Sequence, residues 1–245
     1  MRDLRLASAH VRATTLELCR YPAYLVPTLI VPSVFFLFFV VPGTREAATV
    51  RMATFAGFAA IGVAFFQFGV GIAIDRASPW ELYLRTLPVT PAVRLAARLL
   101  SAMFFSLTAA AVLVAVALGV TSATLPPLGW LELSVALLAG TVPFALLGIA
   151  LGYWAPVKGA LPLANLLYLV LSYAGGLWLR PGELPKPVGA VSRLLPTRAF
   201  ADALAAVALR RPPEWPAWAV LAGFAVTFAA LAGAGYRRDE GRRFT

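Results

Sequence analysis

The chain has 245 residues, of which 60% are hydrophobic and only 13% are charged, and its mean hydropathy is +0.81. A soluble domain carries about twice that share of charged residues. The formal net charge of +10 is spread over the polar segments between apolar runs, which is typical of membrane proteins oriented against anionic lipid and disfavours nucleic acid as a partner. The composition therefore predicts an all-α integral membrane protein.

The N-terminal segment, residues 1–21, is predicted to be an amphipathic helix rather than a signal peptide. Arg residues alternate with Leu and Val along it, and no small-residue cleavage site follows an early apolar run. Such a helix lies on the membrane surface. The single Cys19 excludes an intramolecular disulfide, and together with the single His10 it cannot supply the ligands of a structural metal site.

Six apolar runs follow, and each approaches or exceeds the roughly 20 residues that a membrane-spanning helix needs. They predict spans at residues 22–41, 52–74, 95–120, 131–153, 161–177 and 215–236. Pro27 and Pro32 fall inside the first span and predict a kink there. Residues 22–245 are therefore expected to form a single six-span transmembrane domain.

An even number of spans places both termini on the same side of the membrane. The segments on that side hold 13 of the 21 Lys and Arg residues, and the segments on the other side hold 8. Short cytoplasmic segments are enriched in Lys and Arg, so both termini are expected to be cytoplasmic. The expected location is the cytoplasmic (inner) membrane.

The connection between the last two spans, residues 178–214, is long and rich in Pro and Gly. Its apolar pieces are too short to cross a bilayer, which predicts a re-entrant helical hairpin on the outer face. Within it, Thr197 follows Pro196 and is predicted to cap a helix.

Pairs of glycines predict close helix packing. Gly148 and Gly152 form a G-x-x-x-G pattern in the fourth span, and Gly69 and Gly71 lie near the end of the second. Small residues allow helix backbones to approach one another, either within the chain or at a dimer face. Packing within the chain is the favoured interpretation.

Several kinds of chemistry are missing from the spans. No Asp, Glu, Lys or Arg lies in the middle of any of them, which argues against an ion-driven secondary transporter. His10 lies outside the spans, so a serine hydrolase lacks its base. The only lysines, Lys158 and Lys186, do not follow a glycine, so there is no P-loop. We predict no catalytic, cofactor-binding or metal-binding residue, and an external source of energy for any work that the chain performs.

The stretch "DRASPWELYLRTLP", residues 75–88, predicts a short helix between the second and third spans. Ser78, Pro79 and Glu81 supply a cap, a favourable first residue and a capping box. The apolar side chains follow helical spacing, at Trp80, Tyr83, Leu84 and Leu87. A helix over residues 78–87 is too short to span a membrane. It is either an interfacial helix anchored by Trp80 or a docking helix for a soluble partner.

The order of these features resembles the permease subunits of type-2 ABC exporters, which move drugs, lipids or polysaccharides. The stretch "IAIDRASPWELYLRTLPVTP" is similar to the family's motif after the second span, although Ser78 holds the usual glycine position. The loop "SYAGGLWLRPGELPKPVGAVSRLLPTRAFADAL" and the tail "GYRRDEGRRFT" agree with it. The resemblance implies that residues 78–87 are a cytoplasmic coupling helix that presses into an ATPase. The coupling residues that it implies are Asp75, Arg76, Ser78, Pro79, Trp80, Glu81, Tyr83, Leu84, Arg85 and Leu87.

The resemblance also implies the partners and the activity. The permease would form a dimer with a second copy or a paralogue, above a dimer of cytoplasmic ABC ATPases that bind Mg-ATP. It would move an amphiphilic substrate across the membrane without being an enzyme itself. An alternative is a non-transporting anchor or assembly subunit, which explains a docking helix equally well. A membrane enzyme acting on lipids would need a catalytic cluster, and the sequence offers none.

Overall fold

The computed structural model describes residues 15–16, 19–20, 22–39, 43–78 and 91–241, which form helices and connecting turns without any strand. Most of the predicted N-terminal helix and of the predicted coupling helix lies outside these residues. The helices are α1 (Pro22–Phe39), α2 (Arg45–Ala77), α3 (Pro91–Val120), α4 (Pro127–Trp154), α5 (Val157–Ala174), α6 (Lys186–Ser192), α7 (Pro196–Ala208) and α8 (Trp215–Gly241). The prediction of an all-helical membrane protein is confirmed.

Five helices in the described part of the chain are long and apolar enough to cross a membrane, namely α2, α3, α4, α5 and α8. The predicted first span corresponds to α1, whose apolar stretch Leu25–Phe39 is shorter than these five helices. Pro27 and Pro32, for which the sequence predicts a kink, both lie inside α1. The six predicted spans therefore appear as five helices of spanning length and one shorter apolar helix.

Helix α2 lies at the centre of the bundle. It begins after Thr44, whose hydroxyl accepts a hydrogen bond from the Ala47 N–H at 3.3 Å. Every side chain from Met52 to Phe65 is buried, which is the pattern of a helix that is apolar on all sides and surrounded by others. Between Ala64 and Val70 the helix widens into a π-helix before it returns to α geometry. Hydrophobic spacing alone did not predict this segment.

Contacts between distant residues sort the connections into two ends of the bundle. At one end, the Thr124 N–H donates to Thr49 at 3.2 Å, and Arg51 pairs with Glu183 at 3.1 Å. This end, which we call the Arg51 end, holds the α1–α2, α3–α4 and α5–α8 connections. The opposite end, which we call the Arg76 end, holds the α2–α3 and α4–α5 connections and the C-terminal end of α8.

The α5–α8 connection contains two short α-helices, and the second of them, α7, packs against α2, α4 and α8. The re-entrant form and the outer position of this connection stay predictions. The first turn of α7 differs from the predicted cap. The N-cap is Leu195, Pro196 takes the first helical position, and the predicted cap Thr197 lies inside the helix with its side chain buried. Proline needs no hydrogen-bond acceptor for a backbone N–H, so it can open the helix two residues earlier than a cap at Thr197 would.

The predicted intramolecular packing of the glycines in α4 is confirmed. A Cβ added to Gly148 would lie 2.6 Å from the Ala64 carbonyl oxygen, and a Cβ added to Gly152 would lie 2.7 Å from the Ile72 Cβ. Both contacts are made with α2 of the same chain. Close approach of α2 and α4 therefore depends on the absence of side chains at these two positions.

Candidate functional site

The structure describes three of the predicted coupling residues, Asp75, Arg76 and Ser78, at the point where α2 ends. The others lie outside the described residues: Pro79, Trp80, Glu81, Tyr83, Leu84, Arg85 and Leu87. Ser78 has extended backbone angles, φ −82° and ψ 133°, and its N–H donates to the Asp75 carbonyl at 3.0 Å. An N-cap residue adopts this backbone conformation. The helix predicted over residues 78–87 stays a prediction.

Arg76 turns back into the bundle and contacts two other helices. Its Nε donates to Asp239 Oδ1 of α8 at 2.8 Å, and its Nη2 lies 2.6 Å from the same oxygen. Its Nη1 donates to the carbonyls of Gly152 at 2.8 Å and of Tyr153 at 2.9 Å, both in the last turn of α4. The last carbonyls of a helix have no partner within the helix. The guanidinium therefore satisfies the end of α4 and a carboxylate on α8 at the same time.

Further contacts join the ends of α4 and α8 around Arg76. The Trp154 indole N–H donates to the Leu231 carbonyl at 3.0 Å, and the Arg238 guanidinium lies 4.8 Å from the centre of the Trp154 ring. Gly235 sits against Trp154 and Tyr153, so that an added Cβ would lie 2.8 Å from the Tyr153 Cβ. We call the set Arg76, Gly152, Tyr153 and Asp239 the Arg76 junction.

Asp75 faces the other side of α2 and pairs with Arg98 of α3. These two residues lie on either side of residues 79–90, so the ion pair closes the loop that contains the predicted coupling helix. Both side chains are partly exposed, at 43% for Asp75 and 28% for Arg98. Ion pairs that water reaches contribute little, typically less than about 1 kcal/mol.

We expect the Asp75–Arg98 pair to behave as a local electrostatic contact. Asp75→Arg or Arg98→Asp alone should destabilise the protein by about 1 kcal/mol or less, and the double exchange should restore most of that loss. Thermal unfolding of the four proteins in one detergent measures the coupling. If the loss of stability in the double variant equals the sum of the losses in the two single variants, the two side chains do not interact.

The sequence prediction and the structure differ in what they give as partners of Asp75 and Arg76. The described contacts of both side chains are made within the chain, and the contacts with an ATPase that the family motif implies stay a prediction. Sequence reasoning did not identify Asp239 or the α4 carbonyls as partners. Asp239 did carry a signal, because it is one of two acidic residues among four arginines in the tail, but its burial is visible only in the structure.

A second polar contact lies deeper in the bundle, on the π-helical part of α2. The Gln67 side-chain amide donates to the Ser101 hydroxyl of α3 at 3.3 Å, and the Thr15 hydroxyl lies 3.3 Å from that same oxygen. Gln67 carries the only side-chain amide between Met52 and Ile74. Thr15 therefore contacts α3 close to where α2 changes its helical geometry.

The Arg51 end contains a shallow pocket but no group that suggests a reaction. Arg51 and Asp202 line the pocket together with Trp178 and Arg180. Arg51 pairs with Glu183 and donates to the Phe39 carbonyl, while Asp202 pairs with Arg198 at 2.8 Å. Within the described ranges, no group of three or more His, Cys, Asp or Glu side chains could hold a metal ion.

Comparison with known proteins places the chain in a family. A model described as ABC-2 family transporter protein matches residues 44–234. The chain is also 22% identical over 219 residues to the Bacillus subtilis (strain 168) protein named "Putative transport permease YvfS", a match that covers 87% of this chain and 89% of that relative. The family match includes α2 to α7 and most of α8. It therefore includes Arg76, Gly152 and Tyr153 of the Arg76 junction. The resemblance noted in the sequence is confirmed, and the chain belongs to the ABC-2 family of transporter proteins.

Proposed function

We propose that this multi-pass transport permease is the membrane subunit of an ABC exporter and that a separate cytoplasmic ATPase drives it. Two such ATPase subunits would bind Mg-ATP and dock on residues 78–87 at the Arg76 end, below a dimer of permeases. The Arg76 end would then face the cytoplasm, in agreement with the excess of Lys and Arg on the side of the termini.

One observation carries the proposal, namely the way in which the bundle holds both ends of the segment 79–90. Before the segment, Arg76 is hydrogen-bonded to the ends of α4 and α8. After it, Arg98 is paired with Asp75. A docking segment has to transfer force to the spans, and a segment fixed at both ends can do so. A merely interfacial helix does not require such anchors.

The substrate that we propose is amphiphilic, such as a drug, a lipid or a glycan-linked lipid. The spans carry no Asp, Glu, Lys or Arg in their middle, so they offer no counter-charge to an inorganic ion. Their surfaces are apolar, with Phe38 of α1 and Val226 of α8 among the exposed side chains. A molecule with a hydrocarbon tail can move along such surfaces without exposing that tail to water.

The test is to co-express the chain with the ABC ATPase from a neighbouring gene and to alter residues 80–87. A flexible Gly-Ser linker of equal length should prevent copurification of the ATPase and abolish ATP-dependent movement of a fluorescent NBD-labelled phospholipid in proteoliposomes. The matched control changes only Leu82 and Thr86, the two residues of this stretch that are not among the predicted coupling residues, and it should retain both activities.

Two outcomes would contradict the proposal. If the linker variant still binds the ATPase and moves the phospholipid as the unaltered chain does, residues 80–87 are not the coupling helix. If the ATPase binds the unaltered chain but no amphiphilic probe moves, the alternative of a non-transporting anchor is favoured.

A further inference from the structure

We propose that Arg76 is a positioning residue of transport, which transmits movement of the docking segment to α4 and α8 instead of contacting the ATPase. The inference rests on the proposed function for the origin of that movement. It assigns the two charged residues of the motif to different tasks, because Arg76 reaches α4 and α8 whereas Asp75 reaches α3.

The first argument is that the bundle already occupies the Arg76 guanidinium. The group has five N–H donors in a fixed plane. Nε and Nη2 face Asp239, and Nη1 faces the carbonyls of Gly152 and Tyr153, so that all three nitrogens have partners within the chain. A guanidinium held in this way has little capacity left for a carboxylate of another protein.

The second argument concerns the strength of the connection. The Asp239 side chain is only 8% exposed and that of Arg76 is 24% exposed, whereas Asp75 on the α3 side is 43% exposed. Hydrogen bonds between ionised groups shielded from water are stronger than those that water screens. Among the described residues, Arg76 also makes contacts in two helices, whereas the Asp75 side chain pairs with Arg98. Force on the end of α2 should therefore reach α4 and α8 more effectively than α3.

At this end of the bundle, α4 packs closely against both α2 and α8. Gly152 of α4 lies against Ile72 and the Phe68 carbonyl of α2, and Gly235 of α8 lies against Tyr153 and Trp154 of α4. Because packed interfaces do not deform continuously, a displacement of α2 has to carry α4 and α8 along or break the junction. The partners are 76 and 163 residues away from Arg76 along the chain, so the junction links parts of the permease that local sequence does not connect.

The test measures how many NBD-labelled phospholipid molecules move per ATP hydrolysed by the reconstituted complex. Two variants are compared, Arg76→Gln and the double variant Arg76→Gln with Asp239→Asn. We expect both to keep the ATPase bound. Both should lower this ratio about tenfold, because a charge-assisted contact is lost. The double variant leaves no buried charge unpaired and guards against simple misfolding. Arg76→Lys, which can keep the ion pair but not both carbonyl contacts, should give an intermediate ratio.

Arg51 provides the matched control, because it also lies on α2, pairs with an acid and donates to a carbonyl at a helix end. Arg51→Gln with Glu183→Gln should reduce stability but keep the ratio within about twofold of the unaltered complex. A purely structural role for Arg76 would make both double variants alike. Equal ratios in the Arg76 variants and the unaltered complex would overturn the inference.

A second measurement uses the permease alone in nanodiscs and does not depend on an ATPase. Hydrogen exchange in the Arg76→Gln, Asp239→Asn variant should rise at both the end of α4 and the end of α8, but not at the Arg51 end. If the unaltered complex binds no ATPase or moves no probe, the proposed function fails. The hydrogen-exchange measurement then tests the inference by itself. Unchanged hydrogen exchange at the ends of α4 and α8 would overturn it.

Discussion

Phe200→Ala should lower the free energy of unfolding by about 3 kcal/mol or more, which would be among the largest effects of any single substitution in this chain. The Phe200 ring is fully buried on α7 and fills the space over two glycines, Gly57 of α2 and Gly140 of α4. A Cβ added to Gly140 would lie 2.2 Å from the ring. Truncation would leave a cavity at the point where three helices meet, and the atoms around that cavity would no longer have the van der Waals attraction that the ring provides.

The measurement is thermal or denaturant-induced unfolding in a fixed detergent, with Leu194→Ala as the control. Leu194 lies just before α7 and is 75% exposed, so its truncation should change stability by no more than about 0.5 kcal/mol. Equal losses for Phe200→Ala and Leu194→Ala would show that α7 is not anchored inside the bundle.

Hydropathy and length predicted the helices well, because a bilayer imposes both requirements on any chain that crosses it. The predicted span 131–153 corresponds to α4 at Pro127–Trp154, and 161–177 corresponds to α5 at Val157–Ala174. The ends were predicted less well. The predicted span 215–236 continues as α8 to Gly241, because contacts of Asp239 and Arg238 with α2 and α4 stabilise the last turns. Such contacts join residues that are far apart in sequence, and local patterns do not reveal them.

The candidate site was predicted only in part, for a related reason. Capping residues and helical spacing predict a helix after α2, which stays a prediction, and the motif draws attention to Asp75 and Arg76. The partners of these residues are Arg98, Asp239 and two backbone carbonyls, and carbonyls have no signature in a sequence. The π-helical segment of α2 was missed because its apolar side chains fit an α-helix equally well.

Gly148→Ala should destabilise the permease by about 2 kcal/mol, even though alanine is the better helix former. The added methyl group would lie 2.6 Å from the Ala64 carbonyl oxygen, where the π-helical segment of α2 begins. A backbone oxygen cannot rotate away as a side chain can, so α2 and α4 would have to separate. That separation would also disturb the Arg76 junction, which depends on the same two helices.

The matched control for this substitution is Gly223→Ala on α8, where an added Cβ meets nothing within 4 Å. Without a clash, only the helix propensity changes, and the substitution should be neutral or stabilising by up to about 1 kcal/mol. Unfolding of both variants in one detergent therefore gives opposite signs if glycine is required for helix contact. Stabilisation by Gly148→Ala would contradict the observed α2–α4 distance. Destabilisation by both would point instead to a general cost of alanine in these spans, and the close approach of α2 and α4 would lose its support.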